Sequence, residues 1–313
     1  MKFTLPSLKN PLKVGTRSSP LALVQAKEVC LHLSRELDLP IQAFKIVKIK
    51  TLGDKIIGTS LSQIGGKGLF TKEIEDELIL GKIDIAVHSM KDMPVKLPKG
   101  LLIDTFLPRE DARDAFVSFE VSSLEELDSR TTVGSSSVRR RAQVLSFRKD
   151  LNVVDFRGNV QTRIKKLRDK EVSATFLAMA GLKRLKISEV PFKPIEVEEI
   201  IPAVAQGVIG IERRLDDLST AYILEKINDL ETAQCVNCER AYLEKLDGSC
   251  QTPIAGFAIK ENGNIKFIAE ILKRDGSQSF KEAGVAPVED TKDLGLEIAN
   301  KLQLKASPDF FKD

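Results

Sequence analysis

Tryptophan is absent from this chain of 313 residues, and it has only two tyrosines and two histidines. The first absence excludes any site lined by indole rings. With His32 and His88 as its whole histidine complement, the chain has almost no means of building a multi-histidine metal centre or a conventional hydrolase triad. No apolar run approaches the roughly 20 residues that cross a bilayer, so no membrane contact is expected. The opening stretch, MKFTLPSLKNPLKVGTRSSP, is broken by Pro6 and Pro11 and lacks the apolar core of a secretory signal. A cytoplasmic location follows, in which the four cysteines stay reduced. Cys235 and Cys238 form a single C-x-x-C with no second pair at a recognisable spacing, so no metal site is expected. Solenoid repeats and low-complexity segments are missing as well.

Arginine is scarce where the chain begins and abundant in its middle. The first hundred residues hold only Arg17 and Arg35, whereas eleven of the seventeen arginines lie between Arg109 and Arg184. The net charge is only +3, so the asymmetry is local. Arginine forks onto carboxylates and phosphates. The segment reads either as a solvated basic face or as a surface for an anionic partner. Nucleic acid is not that partner, because the aromatic residues that would stack on bases are not interleaved with the arginines.

At 313 residues the chain exceeds the size at which one core keeps growing, so two or three domains are expected. In SSPLALVQAKEVCLHLSREL, serines precede Pro20, and Leu23, Ala26, Cys30, Leu33 and Leu37 recur at helical spacing. Cys30 therefore belongs to a core face. Residues 41–53 read as a strand, 65–80 as a glycine loop entering a helix, and 82–90 as a buried strand running into KDMP. Strand–loop–helix units then recur: TTVG, SSS, VRRRAQVL; LNVVDF, RGN, VQTRIKKL; SATFLAMA, GLKRL. Such alternation implies an α/β fold with parallel sheets, and ligands bind such sheets at the carboxyl ends of the strands. After Asp229 the pattern changes to a helix, three strands joined by ENGN and RDGS turns, and a closing helix. This is a small α+β domain.

Four groups at loop positions carry chemistry. VGSSSVRRR sets serines and backbone N–H groups at a helix start, an anion-binding arrangement, followed at once by Arg139, Arg140 and Arg141. Consecutive helical residues diverge by about 100°, so the three cannot all serve one ligand. RGNVQTR spaces Arg157 and Arg163 to approach one ligand from a helix's first turns. HSMKDMP sets Lys91 and Asp92 just past a buried strand; Asp92 is either a general acid–base or half of a surface ion pair. In EKLDGSCQTPIAG, Cys250 sits in polar turn chemistry rather than in an apolar element. A thiol there is either incidental or meant to be reached.

VGTRSSPLALVQA, KTLGDK, GGKGLFTKEIE, DIAVHSMKDMP, PREDARDAFVS, VGSSSVRRRAQV, RGNVQTRIKKL, AMAGLKRL, PAVAQGVIGIE and ERAYLEKLDGSCQTPIAG occur in order from about residue 12 to residue 260. Together they resemble the hydroxymethylbilane synthase (porphobilinogen deaminase) family; the last fifty residues match it loosely. The resemblance implies a transferase of tetrapyrrole and haem biosynthesis. Such an enzyme deaminates four porphobilinogens and joins them head to tail on a dipyrromethane primer, which is covalently held as a thioether by a cysteine matching Cys250. The linear tetrapyrrole is then released by water.

The same resemblance implies roles for single residues. Asp92 matches the catalytic aspartate, which would protonate the departing amine and stabilise the cation left behind. Lys91, Ser136, Arg139, Arg140, Arg163 and Arg184 match cofactor-binding positions. Arg17, Ser19, Phe70, Arg157 and Gln206 match substrate-binding ones. Gln63 stands where many relatives carry lysine, so that cation is dispensable or replaced by Lys67; Glu244 stands where some carry arginine. The implied fold has two similar parallel-sheet-rich domains flanking a cleft, as in solute-binding proteins, plus the α+β domain. The implied boundaries are 1–107 with 202–226, 108–201, and 227–313. A monomer that passes its product to uroporphyrinogen-III synthase is expected. A non-enzymatic solute-binding or ligand-sensing protein of the same architecture would explain the fold and the arginines, but not Cys250 or Asp92.

Overall fold

The structure is a computed structural model that describes residues 5–52, 71–249, 252–307 and 309–311. The chain separates into two compact units, residues 1–109 with 208–233, and residues 110–207 with 234–313.

The first unit is built on a five-stranded sheet of order β2-β1-β3-β10-β4. Strand β1 (Leu12–Arg17) pairs in parallel with β2 (Phe44–Ile49) and with β3 (Ile85–Ser89). The crossover from β1 to β2 is helix α1 (Pro20–Glu36), with Pro20 in its first turn and the Ser19 hydroxyl accepting from Ala22 N. Its apolar stripe buries Ala26, Val29, Cys30 and Leu33 against β1 and β3, as the spacing predicts. Helix α2 (Lys72–Ile79) packs Ile74 and Leu78 on the other sheet face, over Ile83 and Ala86. Strand β10 (Ile209–Arg214) runs antiparallel to β3 and to β4 (Leu101–Phe106).

The second unit repeats this plan. Its sheet order is β7-β6-β8-β5-β9, with β6 (Thr132–Gly134) parallel to β7 (Asn152–Val154) and to β8 (Ala174–Ala178). Strand β5 (Asp114–Val117) is antiparallel to β8 and to β9 (Phe192–Pro194). Helices α3 (Val138–Phe147), α4 (Val160–Arg168) and α5 (Met179–Arg184) follow β6, β7 and β8. The parallel α/β reading thus holds for four strands of each sheet. In each sheet one strand, β10 in the first and β5 in the second, runs against the other four. Strands β5 and β10 lie where the chain passes from one unit to the other and back, and a strand arriving by such a passage is not bound by the βαβ rule.

Helix α6 (Leu218–Glu225) closes the first unit. Helix α7 (Leu230–Lys245) leads into a three-stranded antiparallel sheet of β11 (Ile254–Glu261), β12 (Asn264–Leu272) and β13 (Ser279–Pro287), backed by α8 (Thr291–Lys305). The first hairpin turns on Asn262 and Gly263, both at positive φ, as the ENGN signal requires. The second turn brings Gly276 against the backbone of α3, where a Cβ would lie 2.6 Å from Ser146 N. Gln143 of α3 donates to the Glu270 carboxylate of β12 at 3.0 Å. The α+β sheet is thereby braced on the helix that begins with Arg139 and Arg140.

Candidate active site

In both units the residues singled out in the sequence stand at the carboxyl ends of neighbouring parallel strands, where such sheets bind ligands. In the first unit Arg17 ends β1, Ser19 follows it, and Lys91 and Asp92 follow β3. The turn Met90–Asp92 is a single 3₁₀ turn. It is fixed by Met90 N donating to Val208 O and by burial of the Met90 side chain over Gly210, where any Cβ would collide with it. Asp92 is thereby left exposed on a rigid base. Arg17, Ser19, Gln25, His88, Ser89 and Asp92 line one small cavity of about 70 Å³. Ligand pockets run from roughly 300 Å³ upward, so this cavity is a corner and not a whole substrate site.

One group in this corner was only noted in the sequence. His88 Nε2 and Glu212 Oε2 are 2.9 Å apart and both side chains are buried. Glu75 lies behind them; burial pushes its carboxyl above the ordinary range, and the charge of Glu212 adds to the effect.

In the second unit Ser136 follows β6, Arg157 follows β7 with Arg163 one turn on, and Arg184 ends the helix after β8. The Ser136 hydroxyl accepts from Phe156 N, Arg163 Nε donates to Gly158 O, and Arg184 donates to Gly207 O. Each holds one loop of this edge in place. Arg157, Arg163 and Arg184 remain half-exposed.

Arg139, Arg140 and Gln206, which the sequence reading set against cofactor and substrate, share one protein partner. All three are buried and converge on Asp114, a residue the sequence reading passed over. Arg139 donates to Asp114 Oδ2 at 2.8 Å, and Arg140 to Oδ1 at 2.7 Å. The Gln206 amide donates to Oδ1 at 2.8 Å and to Ala112 O. Further donors reach Ile201 O and Phe176 O. Burial would raise the Asp114 carboxyl, but the two guanidiniums outweigh it and hold the group well below the usual carboxylate range. The signal was an aspartate at the head of the otherwise apolar strand DAFV, a position that demands partners.

Two positive charges facing one negative leave the cluster with an excess of one. Glu270 nearby is itself partnered by Lys281 and Gln143, and burial raises its carboxyl against their pull. Arg139 Nε and Arg140 Nε are buried donors without a partner among the described residues. The cluster therefore suits one further anion. It fits a cofactor bearing carboxylates.

Three of the four cysteines are spent on cores. Cys30 is buried in α1, and burial pushes its thiol up to about 12. Cys235 and Cys238 are buried in α7, the latter thiol raised chiefly by burial. Such thiols are poor nucleophiles. Cys250 and Phe70 lie outside the described residues, as do Gln63 and Lys67.

The cluster yields a prediction. Asp114→Asn leaves two buried guanidiniums facing a neutral amide, a change expected to cost about 3–5 kcal/mol. A carboxyl held low in the folded state adds stability above its unfolded pKa of about 3.9, and that stability is lost as pH falls. Urea unfolding should therefore show a smaller loss of stability from pH 5 to pH 3 in Asp114→Asn than in the unaltered protein. Equal slopes would show that the carboxylate is not held by the arginines.

Residues 12–222 match the profile described as porphobilinogen deaminase, dipyromethane cofactor binding domain, and residues 233–303 match the porphobilinogen deaminase C-terminal domain. The porphobilinogen deaminase of Paracoccus denitrificans is 52% identical over 98% of both chains. The chloroplastic porphobilinogen deaminases of Oryza sativa subsp. japonica and Pisum sativum are 47% and 46% identical over 96% of this chain, and over 85% and 83% of their own. The chain belongs to the porphobilinogen deaminase (hydroxymethylbilane synthase) family, transferases of tetrapyrrole biosynthesis that act on porphobilinogen with a dipyrromethane cofactor.

Proposed function

We propose that Asp92 is the catalytic carboxylate, that Cys250 carries the cofactor, and that the arginine-rich edge of the second unit holds carboxylates of cofactor and substrate. The observation that carries this reading is the pair of guanidiniums on the single carboxylate of Asp114 in one unit, taken together with a fixed, exposed carboxylate at the corresponding strand ends of the other. Porphobilinogen brings both partners these sites call for: an amine to be expelled and two carboxylates.

Ser136, Arg139, Arg140, Arg163, Arg184 and Lys91 would hold the cofactor. Asp114 orients Arg139 and Arg140, so a cofactor carboxylate meets guanidiniums already fixed in place. When bound, the cofactor supplies the free pyrrole carbon to which the next unit is joined. Asp92 gives a proton to the leaving nitrogen and then stands as an anion beside the cation that remains. Arg17, Ser19, Phe70 and Arg157 would position the incoming substrate. Gln206 acts through Asp114 instead of by contact. The reading includes a division into 1–107 with 202–226, 108–201 and 227–313, supported by one sheet in each part. The reading extends to a cytoplasmic monomer whose product passes to uroporphyrinogen-III synthase.

Two outcomes are expected. General acid–base assistance is worth about 10²–10⁴ in rate, and lost charge stabilisation costs roughly 10²-fold more. Asp92→Asn, supplied with preformed primer, should therefore release ammonia at least about a thousandfold more slowly in a single turnover. A rate within tenfold of the unaltered enzyme would make Asp92 a bystander. Arg163→Leu removes a charge-assisted contact worth roughly 1.5–3 kcal/mol, so elongation at limiting substrate should fall about tenfold to a hundredfold, and Arg163→Lys should not restore it fully. Arg168, exposed near the Phe119 ring, is a suitable control. Arg148 is not, because it pins Asp150 and the carbonyls of Leu124 and Leu127. Equal losses in Arg163→Leu and Arg168→Leu would reduce Arg163 to general surface charge.

A further inference from the structure

Gln143 is fully buried in the middle of α3. An apolar side chain there would leave no polar group to satisfy, so a buried amide calls for partners. Gln143 lies four residues after Arg139, on the same face of the helix. Its Oε1 accepts from Arg139 Nη1 at 2.8 Å. Its Nε2 donates to Ile201 O at 3.2 Å and to Glu270 Oε2 at 3.0 Å. Both amide protons and the amide oxygen are thus engaged. Turned over, the amide would set N–H groups against a guanidinium and its oxygen against a carbonyl and a carboxylate. Only one orientation is stable, and the carboxylate of Glu270 is the strongest acceptor that selects it.

Glu270 is itself held. It is buried on β12, and its Oε1 lies 3.7 Å from Lys281 Nζ of β13. Lys281 also stands 5.9 Å over the ring of Phe147, the last residue of α3. A line of contacts therefore runs from the α+β sheet through Gln143 to Arg139. The Arg139 fork has Asp114 Oδ2 as acceptor at Nη2, and Ile201 O and Gln143 Oε1 at Nη1. Gln143 supplies one of the two acceptors at Nη1 and tethers the other by donating to Ile201 O. Without it, Nη1 keeps a single acceptor that has lost a tether. Arg139 Nε has no partner among the described residues, so nothing at that atom makes up the loss.

We propose that Gln143 is a positioning residue of the cofactor site: with its amide oriented by Glu270, it sets the guanidinium of Arg139, so that the α+β sheet takes part in shaping the site for the cofactor's carboxylates. The inference rests on the reading that Arg139 holds the cofactor.

Gln143→Leu keeps most of the packing volume and removes all these contacts. Glu270→Leu removes the acceptor for the amide, and Glu270→Gln keeps one. Two quantities are read on the purified full-length protein. The first is the share of molecules that carry the covalent addition, from intact denatured mass. The second is single-turnover ammonia release per primed molecule across a range of porphobilinogen concentrations. Both Leu variants should carry the addition on a smaller share of molecules. Their primed molecules should release ammonia about tenfold to a hundredfold more slowly, the scale of loss when a group is misplaced from outside the reacting centre. The half-saturating substrate concentration should stay unchanged, since the incoming substrate is held by other residues. Glu270→Gln should stay close to the unaltered enzyme in both readings. The double variant Gln143→Leu with Glu270→Leu should be no slower than Gln143→Leu alone, because residues that act through one another are not additive. Losses that multiply in the double variant overturn the proposal. So does a Gln143→Leu protein with a lower urea midpoint but normal occupancy and rate, which would make Gln143 a structural residue only. If Gln143→Leu does not fold, a folded Glu270→Leu with unaltered occupancy and rate overturns the proposal by itself. Arg139→Leu measured alongside separates the two claims. If it is unaltered in both readings, the assignment of Arg139 to the cofactor fails. If it is impaired while Gln143→Leu is not, the positioning role alone fails.

Discussion

One buried carboxylate governs the second unit. Asp114 stands at the head of β5, where the chain has just entered that unit, and it receives Arg139 and Arg140 from α3 and Gln206 from the segment by which the chain leaves. Entry strand, helix and exit loop are thus tied at one point. The exit loop could not take this path without unusual backbone: Ala205 and Gly207 both sit at positive φ, and a Cβ at Gly207 would strike the Glu110 carbonyl. Glu239 of α7 adds a second tie by accepting from Ala205 N and Ala258 N. Burying ion pairs is expensive in stability, and apolar residues would often serve folding as well. What the arrangement provides is two guanidiniums fixed in place around one carboxylate.

The first unit solves the opposite problem. A carboxylate is kept accessible while its neighbours hold it still. Strand β3 lies at the centre of its sheet, and the turn that ends it is locked by Met90, so the position of Asp92 is set by the core and not by a long loop. The same sheet plan therefore serves both units, one presenting a carboxylate at its parallel strand ends and the other presenting cations at the same edge.

Most of the architecture was legible in the residues. The Ser19–Pro20 start of α1, its apolar stripe, the alternation through β6, β7 and β8, and the Asn262–Gly263 hairpin each follow from local chemistry. The reversed strand of each sheet was not legible, because β5 and β10 are placed by passages of the chain and not by their own sequences. The loops of the site were visible as clusters of serine, arginine and aspartate. Which arginines face inward was not, since three consecutive residues differ only in the direction a helix gives them. Arg139 and Arg140 are buried and Arg141 is exposed, a distinction decided by Asp114, twenty-five residues before Arg139. His88 stands alone in the sequence, and its partner Glu212 is 124 residues away.

The account requires a thiol that reacts, and three of the four cysteines are buried in helix cores. Cys250 is the remaining one. The most direct measurement is the intact mass of the denatured protein followed by peptide mapping. A covalent addition made from two porphobilinogen units and located on Cys250 is the predicted result. A protein purified in active form that shows only its sequence mass, or that carries the addition on Cys30, Cys235 or Cys238, would contradict it.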